Sequence, residues 1–133
     1  MHFPFTVTVP KSTPKATPYE KILPLTMGII TSVQVIVPPG PLDLTGLVIL
    51  FHEFQLYPLS RGEYYHGDAV VYPFDDEQEI LVSPYQLKAR AWNLDTEYDH
   101  DFIVAFSMKR PEDVATSTRS LEALQALVGQ VIS

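Results

Sequence analysis

Apolar and polar residues alternate with a period of two along much of the chain before residue 111. In residues 102–108, for example, every second position is apolar (Phe102, Val104, Phe106 and Met108). Since successive side chains of a strand point to opposite faces, this spacing predicts strands with one buried face. Turn residues separate such segments every ~8–12 residues, and no helical period precedes residue 111. The pattern predicts an all-β fold, an antiparallel β-sandwich or jelly-roll of about eight strands.

The most apolar stretch spans residues 28–58 and consists of two long strand-like runs around the Pro-Pro-Gly-Pro segment at 38–41. The second run is apolar on both parities, and one parity holds Leu47, Ile49 and Phe51. A strand that is apolar on both faces is central and covered twice. We therefore expect a neighbouring subunit, the N-terminal segment or a C-terminal helix to pack on residues 47–51.

Residues 1–20 contain four prolines, which fix φ and favour extended backbone. They are predicted to form an extended N-terminal arm outside a β-sandwich domain of residues 21–110. Its apolar side chains Phe3, Phe5 and Val7 need a cover, which a neighbouring subunit would supply. A floppy terminus and a short edge strand over residues 5–9 are the alternatives.

Residues 111–133 are predicted to be a linker followed by a C-terminal amphipathic helix. Four apolar side chains recur there at helical spacing, namely Leu121, Leu124, Leu127 and Val128. Such a short helix is marginal in water by itself, so it would dock on its own domain or on another protein, or else fray.

Composition narrows the classes of function. The formal net charge of −7 argues against nucleic-acid binding, which needs Lys and Arg to displace counterions from phosphates. The chain has 46% hydrophobic residues but only 19% charged ones, which favours an oligomer that buries the excess apolar surface. No signal-peptide pattern and no membrane-spanning run is present. Synthesis in the cytoplasm and no contact with a membrane are expected.

The sequence gives little support for a metal site or a catalytic site. His52, His66 and His100 lie beside acidic residues, in a superficial likeness to a cupin metal centre. The pattern departs from cupins because it lacks a His-x-His pair, and because His52 and Glu53 would point to opposite faces of a strand. A Ca²⁺ site in the acidic turns stays open. With no Cys, no nucleophile elbow and no phosphate loop, the sequence predicts no metal, no cofactor and no enzyme.

The layout of Pro-rich arm, acidic eight-strand domain and docking helix resembles the small jelly-roll or β-sandwich virion proteins of bacteriophages, of the decoration, cement or minor capsid type. The resemblance implies a non-enzymatic structural subunit in a virion, a homo-oligomer with a trimer favoured, and a second structural protein as partner. The contacts would come from the apolar residues of arm, central strand and helix: Phe3, Phe5, Val7, Leu47, Ile49, Phe51, Leu121, Leu124, Leu127 and Val128.

The alternative function is a carbohydrate- or ligand-binding β-sandwich module, such as a tail-fibre or surface recognition domain. Modules of that kind stack sugars on exposed aromatic side chains. The candidates for this role are Tyr64, Tyr65 and Trp92. In the opposing interpretation, Trp92 packs under a loop and the tyrosines line a subunit contact.

Overall fold

The computed structural model describes residues 1–110, which form eight strands and, within that range, no helix. The all-β class and the eight antiparallel strands are confirmed, whereas the predicted helix at 111–133, with Leu121, Leu124, Leu127 and Val128, lies outside the described residues. In chain order the strands are β1 (His2–Val9), β2 (Tyr19–Pro24), β3 (Gly28–Val37), β4 (Thr45–Phe51), β5 (Phe54–Tyr57), β6 (Val70–Ile80), β7 (Gln86–Asn93) and β8 (His100–Lys109).

The strands form two four-stranded antiparallel sheets that share one hydrophobic core. The first sheet has the order β1-β8-β3-β6, and the second has the order β2-β7-β4-β5. Phe102 and Phe106 of the first sheet belong to the same buried cluster as Leu23, Leu47 and Leu87 of the second. The core face of β8 is the one that the alternation predicted, because Phe102, Val104, Phe106 and Met108 are all buried.

The predicted arm and its boundary at residue 20 need correction, since residues 2–9 form part of the first sheet. Strand β1 pairs with β8 along its whole length, from His2 opposite Ser107 to Val9 opposite His100. Val7 has no exposed surface in the shared core. The alternating apolar residues outweigh the proline at position 4, because a strand at the edge of a sheet tolerates the loss of one donor.

The outer face of β4 is covered by the chain itself, which corrects the expectation that other cover is needed. Leu47 and Ile49 lie in the shared core, while Val48 and Leu50 on the opposite parity are only 7% and 3% exposed. Val48 is paired with Arg90 of β7, and Leu50 with Lys88. Long cationic side chains cover apolar surface with their aliphatic stems while their charges stay in water. Lys88 and Arg90 lie about 40 residues after β4 in the sequence, so the sequence alone did not show that they would cover this strand.

The prolines within strands all lie at sheet edges. Pro4 is in β1, Pro24 ends β2, and Pro73 is in β6, and each of these strands borders its sheet. The four central strands, β8, β3, β7 and β4, contain none. Proline has no N–H to donate to a neighbouring strand, so it is tolerated in these edge strands.

Candidate functional site

A cleft of about 370 Å³ opens along one side of the molecule, where β5 borders the second sheet and β6 borders the first. We call it the side cleft. Its walls come from the end of β5, the segment that follows it and the inward side chains of β6. The lining residues are Leu56, Tyr57, Pro58, Leu59, Tyr65, Phe74, Asp75, Asp76 and Gln78.

The alternation of β6 gives the side cleft an apolar part and a polar part. Along the half-buried parity of this strand, Tyr72 and Phe74 are followed by Asp76 and Gln78. A charged side chain that points inward from an edge strand also discourages edge-to-edge aggregation. In this position, however, the inward carboxylate lies against the lining of a cavity.

Aromatic rings form the apolar wall of the side cleft. The ring centroid of Phe74 lies 5.2 Å from that of Tyr57 and 6.3 Å from that of Tyr65. Tyr65 is fixed by two backbone hydrogen bonds with Leu47, of 3.0 and 2.8 Å, which join it to β4. Because the backbone of Tyr65 is tied to a central strand, this wall is formed before any ligand arrives.

The polar part of the side cleft is a hydrogen-bonded pair. The hydroxyl of Tyr57 donates to Oδ2 of Asp76 at 2.5 Å. Burial, followed by the Asp76 carboxylate, raises the pKa of Tyr57 far above its usual value. Burial, with a smaller effect of Tyr72, raises the pKa of Tyr65 to about 12. Both hydroxyls therefore stay protonated at neutral pH, and Tyr57 remains a donor to the carboxylate.

A second aromatic group, the outer cluster, consists of Lys15, Tyr64 and Trp92. The two ring centroids lie 4.9 Å apart, and Nζ of Lys15 lies 4.9 Å from each ring centroid. Trp92 packs on Gly46 of β4, where a Cβ atom would come within 2.2 Å of Cζ2 of the ring. Trp92 is only 7% exposed and Tyr64 is half-buried, so the Trp92 ring is not an open platform for stacking a sugar.

The three aromatics that the sequence suggested as candidates for stacking a ligand are thus separated. Tyr64 and Trp92 belong to the outer cluster, whereas Tyr65 lines the side cleft. Sequence reasoning missed Tyr57 and Phe74, and it considered Asp76 only as part of an acidic turn that could bind Ca²⁺. The proline at position 73 and the acidic run at 75–77 suggest from the sequence that a strand ends at residue 74, whereas β6 continues to Ile80. Residues 75–79 are all polar, so the sequence carries no alternation that marks the second half of β6, and the inward parity appears only in the structure.

The histidines proposed as metal ligands lie in separate pairs or turns. Nδ1 of His66 is 2.5 Å from Oδ1 of Asp43, and Nε2 of His100 is 2.8 Å from Oδ2 of Asp95. His52 occupies the turn between β4 and β5. In residues 1–110 no group of three or more potential metal-ligating side chains occurs.

Glu53, considered beside those histidines, belongs to an ion network on the outer face of the second sheet. Nζ of Lys88 lies 2.8 Å from Glu53 and 3.3 Å from Glu20, and Arg90 pairs with the same two carboxylates. Hydrogen bonds from Lys88 and then Arg90 lower the pKa of Glu53. These opposite charges compensate one another on the solvent-exposed side of the second sheet.

The residues predicted as subunit contacts differ in how deeply the structure buries them. Val7, Leu47 and Ile49 are core residues of the single chain, while Phe3, Phe5 and Phe51 are partly buried against that core. The homo-oligomer, the trimer and the second structural protein stay predictions. Within residues 1–110 there is no helix long and apolar enough to span a membrane.

Comparison with known proteins gives no family for this chain. No family model matches it, and no curated protein matches it. Among solved structures, an Fe(II) form of HppE shows a TM-score of 0.41 and 7% identity over 80% of this chain and 43% of its own length. Hydroxypropylphosphonic acid epoxidase from S. wedmorenis, in complex with fosfomycin, shows a TM-score of 0.40 and 8% identity. The match covers 78% of this chain and 42% of the epoxidase chain.

The chain thus spans less than half the length of the solved structures it resembles. On this comparison the prediction of a virion structural subunit is wrong, because the two solved structures named above are those of an epoxidase. Likeness at this level does not carry the iron or the substrate of the epoxidase over to this chain.

Proposed function

We propose that this domain is a small-molecule binding module and that its ligand occupies the side cleft. The observation that carries the proposal is the hydrogen-bonded pair of Tyr57 and Asp76 at the edge of an aromatic wall. Ligand sites are typically concave and largely apolar, with a few polar groups that fix orientation, and cover roughly 300–1,000 Å³. The side cleft, at about 370 Å³, suits a ligand at the small end of that range.

We propose binding without chemical turnover. The described residues that line the side cleft include no Ser, Thr, Cys, His or Lys. Its two carboxylates, Asp75 and Asp76, are neighbours on β6, where successive side chains point to opposite faces. They are therefore not placed to act as an acid and base pair on one substrate.

We also infer a jelly-roll connectivity for the two sheets. The orders β1-β8-β3-β6 and β2-β7-β4-β5 support it, since each sheet combines strands from both halves of the chain. In that connectivity β5 and β6 are consecutive strands on facing sheets. The side cleft is then the gap that the crossing between them leaves open.

The proposal is tested by closing the side cleft with a charged side chain. Leu59 lines the cleft and is 75% exposed, so Leu59→Arg can be accommodated in the fold while it obstructs the entrance. Val82 is similarly exposed, at 70%, and does not line the cleft, so Val82→Arg is the matched control.

The measurement is ligand-observed NMR with a library of small aromatic and aliphatic fragments. We expect fragments that bind the wild-type protein and the Val82→Arg control but lose their signal with Leu59→Arg. If the library gives no fragment with this dependence, the side cleft is not a ligand site and the proposal fails.

A further inference from the structure

We infer that the side cleft recognises a small organic cation, a protonated or quaternary amine on an apolar body. This inference rests on the proposed function and adds the chemical class of the ligand. It follows from the Asp76 carboxylate, from the half-buried Phe74 ring beside it, and from the exclusion of the other charged ligand classes.

The carboxylate of Asp76 has one oxygen available for a ligand. Its Oδ2 atom accepts the hydrogen bond from Tyr57, while Oδ1 accepts none from the residues between 1 and 110. No basic side chain of the same range forms an ion pair with Asp76. A partly buried carboxylate gains most from a cation that arrives with its own hydrogen-bond donors.

An aromatic ring lies where the rest of such a cation would pack. Phe74 is half-buried and precedes Asp76 on the inward parity of β6, and it packs against Tyr57 and Tyr65, which are only 5% and 8% exposed. The face of an aromatic ring attracts ammonium groups within about 6 Å of its centroid. This chain already uses that interaction in the outer cluster, where Nζ of Lys15 is 4.9 Å from two ring centroids.

A metal ion and an anion fit the side cleft less well. Ca²⁺ takes about six to eight oxygen ligands, whereas the described residues hold no group of three acidic or histidine side chains suited to a metal. An anion would meet Asp76 with no basic residue among the described lining residues, on a chain of formal charge −7. An organic cation needs only one carboxylate and an aromatic surface.

The test compares three probes of nearly equal size: phenethylamine, 2-phenylethanol and 3-phenylpropionate. Their affinities for the full chain are measured at neutral pH by NMR titration. We expect the amine to bind about tenfold more tightly than the alcohol, and the carboxylate to bind most weakly. Asp76→Asn keeps an oxygen that accepts from Tyr57 but should abolish the preference for the amine. Glu77→Gln removes the same charge from the outward parity of β6 and should preserve it.

The outcomes separate this inference from the proposed function. Equal affinity of the wild-type protein for amine and alcohol overturns the organic cation, and this result needs no variant to fold. If the alcohol then still loses its binding in Leu59→Arg, the side cleft remains a ligand site for neutral molecules. An amine preference that survives Asp76→Asn in a folded variant also overturns the inference, because the charge would be recognised elsewhere.

Discussion

Tyr64 and Tyr65 are consecutive residues, yet they belong to two aromatic groups with opposite electrostatics. Tyr64 packs on Trp92 in the outer cluster, where Lys15 supplies a cation to both rings. Tyr65 lines the side cleft, where Asp76 supplies a carboxylate and the described lining holds no cation. In the outer cluster the cation beside the rings belongs to this chain. In the side cleft the carboxylate has no cationic partner among the described lining residues, so a ligand could supply one.

This difference shows why exposed aromatic residues cannot be recognised as a binding platform by their type alone. Tyr64 and Trp92 looked like sugar-stacking residues because they lie near a loop and on a polar strand face. In the folded chain the two rings pack edge to face, Trp92 lies on Gly46, and Lys15 lies near both rings. The feature that distinguishes the side cleft is an unmatched charge beside an aromatic wall, and that depends on which strands become neighbours.

The largest expected effect is on stability, from Trp92→Ala in the outer cluster. Removing this buried side chain from Gly46 and Tyr64 should lower the free energy of unfolding by about 3 kcal/mol. Urea unfolding followed by far-UV circular dichroism measures it. Tyr64→Phe, which keeps the ring, should change little. A loss for Trp92→Ala as small as that of Tyr64→Phe would show that the outer cluster does not hold the sheet face together.

A smaller effect is expected on the free energy of unfolding at alkaline pH, through Tyr65 in the side cleft. Folding raises the pKa of Tyr65 from 10.0 to about 12, so the neutral phenol stabilises the folded state below pH 10. That contribution is lost as the pH rises from 10 to 12 and amounts to about 2 kcal/mol.

The free energy of unfolding is measured at intervals between pH 9 and pH 12 for the wild-type protein and for Tyr65→Phe. The variant should lose less stability over this interval, because it has no phenol to ionise at that position. Tyr64→Phe provides the comparison from the outer cluster. An unchanged pH dependence in Tyr65→Phe would place Tyr65 in water rather than in the wall of the side cleft.

The smallest effect is expected from Lys15→Gln, which removes the cation from the outer cluster. An exposed cation–π contact contributes about 0.5 kcal/mol to stability. Trp92 is the single tryptophan of the chain, so its fluorescence reports on the outer cluster alone. The emission should shift in Lys15→Gln and stay unchanged in Lys11→Gln, a control in the same loop. An unshifted spectrum in Lys15→Gln would mean that the lysine does not rest on the rings.

The sequence by itself determined the all-β class and the core face of β8. These features depend on local periodicity, which acts within a few residues. The same local reasoning misplaced residues 2–9 in an arm, because their partner strand, β8, begins near residue 100.

Only the tertiary structure decided which side chains meet in the side cleft and which rings are covered. Tyr57 and Asp76 are 19 residues apart and lie on different sheets, and Lys15 reaches Trp92 from the opposite end of the domain sequence. Pairing of distant strands is set by the burial of the whole core and not by any short pattern. The charge that the side cleft offers to a ligand therefore became visible only after the two sheets were in place.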